Sequence, residues 1–228
     1  MKKSSRICSN PVLSIALVCM FAASILVTDQ TKAETITIDA NARGWVDNFN
    51  NSSGTNASNI ILVGKCLCVG DEHRNWFRFP IPALDGPISS AELVIDSRRI
   101  FLDQEPSTTY TLTSLGVSRA FRNVGTGDIY GAREYQMVDD GTTQSIPLNQ
   151  AALAAIDLSQ GGSFGISGRL TENATFNPGD DNQFLFGSTV ASLSQLRITT
   201  VPEPNSALLF GLMFTACVAI NYRQSHRR

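Results

Sequence analysis

Histidine is almost missing. The 228 residues hold two, and His226 belongs to the last few. A Ser-His-Asp or Cys-His system needs a positioned imidazole to take the nucleophile's proton. That leaves His73 as the one candidate base in the central region. It stands in Gly70-Asp71-Glu72-His73-Arg74, which reads as a charged turn between strands. His73 is therefore expected to be a solvated loop histidine. Zinc asks for several His or Cys at ligand spacing, and residues 34–200 hold one His and two Cys, so no zinc is assigned. Positive charge is also in short supply. Residues 34–200 carry 18 Asp+Glu against 11 Lys+Arg, a balance of −7. A phosphate-backbone binder needs the opposite sign, which argues against nucleic acid as a partner. There is no internal repeat, and the Gly-rich run Gly125–Gly131 has neither the spacing nor the Lys-Ser/Thr of a phosphate loop.

What is present is concentrated at the two ends. Lys2, Lys3 and Arg6 precede an uncharged apolar run of sixteen residues, Val12 to Val27. Thr31-Lys32-Ala33 then offers small residues at the −3 and −1 positions of a cleavage site. Residues 1–33 read as a secretory signal peptide with Glu34 opening the mature chain. The alternative is an uncleaved anchor helix, for which the run is short. At the other end come Val201, Pro202, Glu203 and Pro204, then an uncharged stretch from Ser206 to Ile220, then Arg223, Arg227 and Arg228. Two prolines one residue apart exclude a helix interior, so the first part reads as an extended linker. The apolar stretch predicts a transmembrane helix over about 206–222 that thins the bilayer locally. The basic tail stays in the cytoplasm under the positive-inside rule. The domain between then faces away from it.

The order Pro202-Glu203-Pro204, apolar Ala207–Ile220 run and terminal arginines resembles the PEP-CTERM sorting signal of Gram-negative bacteria that make extracellular polysaccharide. The family's compact Arg cluster is here spread out as Arg223-Gln-Ser-His-Arg227-Arg228. The resemblance implies recognition by exosortase, a membrane protease-transpeptidase. It implies anchoring in the inner membrane before processing, and then the cell surface or extracellular matrix.

Residues 34–200 suffice for one domain with a core and not for two. Their period is two, as in Gln195-Leu196-Arg197-Ile198-Thr199 and Phe164–Leu170. Strands are predicted there and over Thr35–Asp39, Arg43–Phe49, Ile60–Val63, Asn75–Phe79, Ser90–Asp96, Thr108–Leu115, Ile129–Met137 and Gln183–Phe186. Asp139-Asp140-Gly141 reads as a hairpin turn. Leu148 to Leu158, with four alanines and Asn149 placed as an N-cap, predicts one short helix. About ten short strands with one inserted helix make an antiparallel β-sandwich of the jelly-roll kind. Trp45-Val46-Asp47, Arg74–Pro82 and Ile88-Ser-Ser-Ala-Glu-Leu93 look like parts of the DNRLRE-type β-sandwich modules of secreted proteins, which are related in shape to carbohydrate-binding modules. That resemblance implies a jelly roll with room for a sugar-binding face and a structural calcium, and no catalysis.

Sugar rings stack on exposed aromatics beside placed polar groups. Trp45 and Trp76 are the only tryptophans, and Trp76 alternates away from Phe77 and Phe79. Trp76 is therefore expected to face outward beside Arg78, with Trp45 as a second candidate; the alternative is a second core layer. Asp180 and Asp181, flanked by Asn177 and Asn182, offer oxygen ligands for calcium, against the alternative of a solvated turn. Beyond that calcium no cofactor is assigned. Cys66 and Cys68 alone reach the oxidising compartment. In a strand their Cα atoms lie about 6.6 Å apart, wider than the roughly 5.5–6 Å a disulfide prefers. A structural bond across a local bend is expected, with free thiols or a redox loop as alternatives. Three functions follow. The first is a non-enzymatic, exosortase-sorted protein that binds extracellular polysaccharide. The second is a structural or adhesive matrix protein without a sugar site, which two buried tryptophans would favour. The third is a polysaccharide hydrolase, which needs two carboxylates about 5–10 Å apart in a cleft.

Overall fold

Alternation sorts most of the described chain onto two faces. The computed structural model describes residues 33–53, 60–66, 71–103, 105–171, 183–187 and 193–201. Residues Ala33–Val201 form one compact unit. The strands are β1 (Glu34–Asp39), β2 (Ala42–Asp47), β3 (Val63–Cys66), β4 (Asp71–Pro80), β5 (Ile88–Ser97) and β6 (Phe101–Leu102). Then come β7 (Ser107–Ser114), β8 (Ile129–Gln136), β9 (Thr142–Pro147), β10 (Ser163–Thr171), β11 (Gln183–Leu185) and β12 (Ser194–Thr200). One α-helix among the described residues, α1 (Gln150–Asp157), lies between β9 and β10. The protein is mainly β, and every strand pairing described is antiparallel. A smaller sheet runs β1-β12-β5-β9. A larger one runs β6-β11-β3-β4-β10-β7-β8, with β2 also on β4.

Both sheets contribute to one core. The smaller sheet supplies Ala91, Leu93 and Ile95 from β5, Ile146 from β9 and Leu196 and Ile198 from β12. The larger supplies Phe77, Phe79, Tyr110, Leu112, Phe164 and Ile166. The polar residues between them carry cross-strand ties on the far side. On the small sheet Arg197 donates to Glu92 at 2.5 Å, Ser145 donates to the other Glu92 oxygen, and Gln195 donates to Asp39 at 2.8 Å. The helix forms where predicted. The Asn149 side chain accepts from the Ala152 N–H at 3.1 Å, and Ala152, Leu153 and Ile156 turn to the core.

Two strands escape a reading by periodicity. β6 has only two residues, and β9 (Thr-Thr-Gln-Ser-Ile-Pro) buries a single apolar side chain, Ile146. An edge strand with one neighbour needs no more. The missed β9 also changes the meaning of Asp139-Asp140-Gly141. The preceding β8 belongs to the larger sheet and the following β9 to the smaller one, so the hairpin expected there is a crossover between sheets. Its acids are structural. Asp139 accepts from the Gln136 N–H at 3.0 Å, and Asp140 accepts from the Arg99 and Ile100 N–H groups at 2.6 and 3.1 Å.

The larger sheet branches at β4. His73 pairs with Asp47 of β2 and with Gly64 of β3, so those strands occupy opposite edges of β4. β10 pairs with β4 only from Asn75 to Pro80 and is carried on by β7 to Thr171. Asn75 sits beside this fork, fully buried. Its Nδ2 donates to the Ile61 carbonyl at 2.8 Å, and its Oδ1 accepts from the Tyr110 hydroxyl at 2.7 Å. A Cβ at Gly168, opposite Asn75, would lie 2.1 Å from that hydroxyl, which is why glycine stands there. Tyr110→Phe is expected to strand Asn75 Oδ1 without a donor and to cost about 1–3 kcal/mol of stability. Urea unfolding followed by far-UV circular dichroism measures it, and a loss below about 0.5 kcal/mol would mean that water replaces the phenol.

Candidate functional site

The outward face of β4 presents Glu72, Arg74, Trp76 and Arg78. The alternation expected for Trp76 against Phe77 and Phe79 is present, but the outward orientation does not leave it accessible. Trp76 is 1% exposed and packs with Val46 and Val124, flanked by Ala42, Leu115 and Phe121. The segment from Leu115 to Asp128 folds down over it. Arg119 places its guanidinium 4.8 Å from the indole centroid, an arrangement worth about 0.5–2 kcal/mol. The stacking platform is thereby corrected to a second core layer, because a strand face covered by a loop must be apolar where the loop lands.

Arg74 holds that loop. Its Nη1 donates to the carbonyls of Phe121 (3.2 Å) and Val124 (3.0 Å), and its Nε pairs with Glu72 at 3.1 Å. The guanidinium also lies 3.9 Å from the Phe121 ring centroid. Further ties come from β10 and from the turn after β2. The Gly125 N–H donates to Ser167 Oγ at 3.0 Å, and the Phe121 N–H donates to Asn50 Oδ1 at 3.1 Å. Gly125 has φ +76°, and a Cβ there would meet the aliphatic stem of Arg169 at 3.0–3.3 Å. Glycine is therefore doubly required.

The other candidates fall elsewhere. Trp45 pairs with Asn75, so it belongs to the inward face of β2, half-buried, away from Arg78. Its ring meets His73 edge-on at 4.8 Å. His73 is not a loop residue. It is 5% exposed, within β4, with Nδ1 3.2 Å from the Asp71 carbonyl. The charged turn expected at Asp71–Arg74 is a strand, because these charges point to alternate faces near the fork. Arg78 is half-buried on the outward face. Cys66 ends β3 opposite Asp71, while its side chain and Cys68 lie outside the described residues. So do Asp180 and Asp181. No group of three His, Cys, Asp or Glu that could hold a metal is found among the described residues. Val201 donates its N–H to the Pro87 carbonyl at 3.0 Å. Pro202, Glu203, Pro204, Arg223, Arg227 and Arg228 lie outside the described residues. Among the described residues no helix is long and apolar enough to cross a membrane.

What the larger sheet does offer is a cleft. Glu72, Arg74, Arg169, Leu170 and Thr171 line an open depression of about 280 Å³ where β10 leaves β4. Arg74 and Arg169 are each one residue beyond the last β4–β10 pair, Asn75 with Gly168, which sets two like charges across from one another. Leu170 turns its side chain to the main core. Thr171 shares a 2.7 Å hydroxyl contact with Thr111 of β7. The cleft was not legible as such: its arginines are 95 positions apart in sequence, and only the fork brings them together.

Two outcomes check this description. In a Trp45→Phe background, Trp76 emission is expected to resist acrylamide quenching, and Arg74→Met is expected to make it quenchable. Unchanged quenching would mean that the loop stays down without Arg74. Burial pushes the His73 imidazole below its ordinary value, against the Asp71 carbonyl and the charges of Asp47, Asp71 and Glu72, which pull the other way. The neutral ring is thus the folded form. Its contribution is present above the unfolded value of about 6.5 and is lost as pH falls through the lower folded one. Between about pH 7 and pH 5 the wild type is expected to lose more melting temperature than His73→Phe, and parallel curves would contradict the buried neutral histidine.

No protein-family model matches the chain, and no characterised protein matches it in sequence.

Proposed function

We propose that this chain is an exported, exosortase-sorted, non-enzymatic protein of a Gram-negative cell surface or extracellular matrix. In this reading residues 34–200 are a jelly-roll-like β-sandwich that binds polysaccharide. One observation carries the sorting part. Pro202-Glu203-Pro204, the apolar run and the terminal arginines follow in that order on a chain that opens with a basic, then apolar, segment. The binding part is supported by the polar cleft between β4 and β10, and fold analogy adds little to it. A structural or adhesive role without a sugar site is the second reading. It draws support from Trp76 being covered and Trp45 turning inward, which removes the aromatic platform.

Replacement of Pro202, Glu203 and Pro204 by alanine is expected to leave the protein in the inner membrane with its tail attached. Mass spectrometry of the membrane and released fractions reads the tail directly. Release at the wild-type level would end the exosortase reading. A pull-down of the chain on insoluble polysaccharides from its own host separates the two binding readings, since the adhesive one expects none retained.

A further inference from the structure

We propose that the cleft between β4 and β10 binds the carboxylate of a uronic acid residue in an acidic polysaccharide, with Arg169 as its principal contact. This rests on the polysaccharide reading and names the substrate class for it.

The two arginines of the cleft are in different states. Arg74 is largely spent on Glu72 and on the Phe121 and Val124 carbonyls. Arg169 is not. Its Nε is buried without a hydrogen-bond partner, and among the described residues no acid pairs with it. A buried guanidinium nitrogen left unsatisfied is costly. The Gly125 backbone passes close to its stem, since a Cβ built there would lie 3.0–3.3 Å from the Arg169 side-chain carbons. A guanidinium with no acid committed to it among the described residues is free to pair with a ligand anion. A planar fork of donors matches a carboxylate.

The remaining groups narrow the ligand. Glu72 is 42% exposed beside the arginines, so a dense polyanion such as a polyphosphate meets repulsion there. A carboxylate and a threonine hydroxyl instead suit ligand hydroxyls, which donate to one and exchange with the other. One carboxylate among several hydroxyls is the pattern of a uronic acid. The volume of about 280 Å³, just below the roughly 300–1,000 Å³ of ligand pockets, suits a single sugar residue better than a long chain. The region's −7 balance keeps charge density from serving as the basis of recognition.

The test uses the full chain in detergent and titration calorimetry. The probes are an oligogalacturonate, the matching neutral galactose oligomer, and inorganic phosphate and sulfate. Oligogalacturonate is expected to bind and the neutral oligomer to fail. Arg169→Met should weaken binding about ten- to a hundred-fold without lowering the melting temperature, since it removes an unsatisfied buried nitrogen. Arg169→Lys, which keeps charge but not the fork, should fall between and carries the test if the Met variant does not fold. Equal binding of neutral and acidic oligomers, insensitive to Arg169, overturns the cleft assignment and leaves the polysaccharide reading standing. Phosphate or sulfate binding as tightly through Arg169 overturns the sugar assignment. Binding of no oligomer overturns the uronic acid assignment, and if the host-polysaccharide pull-down also retains nothing the polysaccharide reading falls with it.

Discussion

Asn75 is the point on which the larger sheet turns. It is a fully buried amide in a wall of phenylalanine and tyrosine, and such a group is tolerated only when satisfied. Here it is satisfied from two directions, by the Ile61 carbonyl and by the Tyr110 hydroxyl. The first contact fixes the approach of the chain entering β3. The second draws the phenol of β7 across β10, where glycine at position 168 makes room. β2, β3, β4, β7 and β10 are thereby placed relative to one side chain. The fork between β3 and β10 follows, because both strands must share the same edge of β4.

The fork has an electrostatic consequence. Where β10 leaves β4, the next outward residues on the two strands are Arg74 and Arg169. Directly opposed like charges destabilise a sheet. The structure answers by giving Arg74 two carbonyls, a carboxylate and a ring, which turns a repelling residue into a clamp for the Leu115–Asp128 segment. That segment then covers Trp76. Burial of the tryptophan and exposure of an arginine cleft are thus two results of one arrangement: the loop lands on one part of the sheet face and stops short of the other.

The sequence was informative where one physical term dominated. Pattern and composition located nine of the ten predicted strand regions, Ile60–Val63 touching β3 only at Val63, and the Asn149 cap with its alanine-rich run located α1. It failed where tertiary contacts decide. β9 carries too little apolar periodicity to register, since its neighbour β5 does the packing. His73 was read from its charged neighbours as solvated, yet a strand sends Glu72 and Arg74 to one face and His73 to the other. Trp76 was assigned to the correct face. The remaining question, whether anything covers that face, depends on a segment about forty residues later in the chain, and no local pattern records it.

The surface chemistry constrains the proposed binding of an acidic polymer. A region at −7 is repelled by such polymers once they approach within a Debye length, roughly 8 Å at physiological salt, and beyond that the repulsion is screened. On the small sheet Arg197 is already paired with Glu92, which takes one of the region's eleven cations out of any attraction to a polyanion. On the proposed reading, attraction is left to short range and to few groups, and the β4–β10 cleft with its one unpaired arginine would bind weakly. Weak contacts hold firmly only when many act together. A domain displayed in numbers on a surface or matrix meets that condition, and one released singly into solution does not. On the proposed reading, sorting to a surface or matrix would supply the multiplicity that one cleft with a single arginine contact lacks.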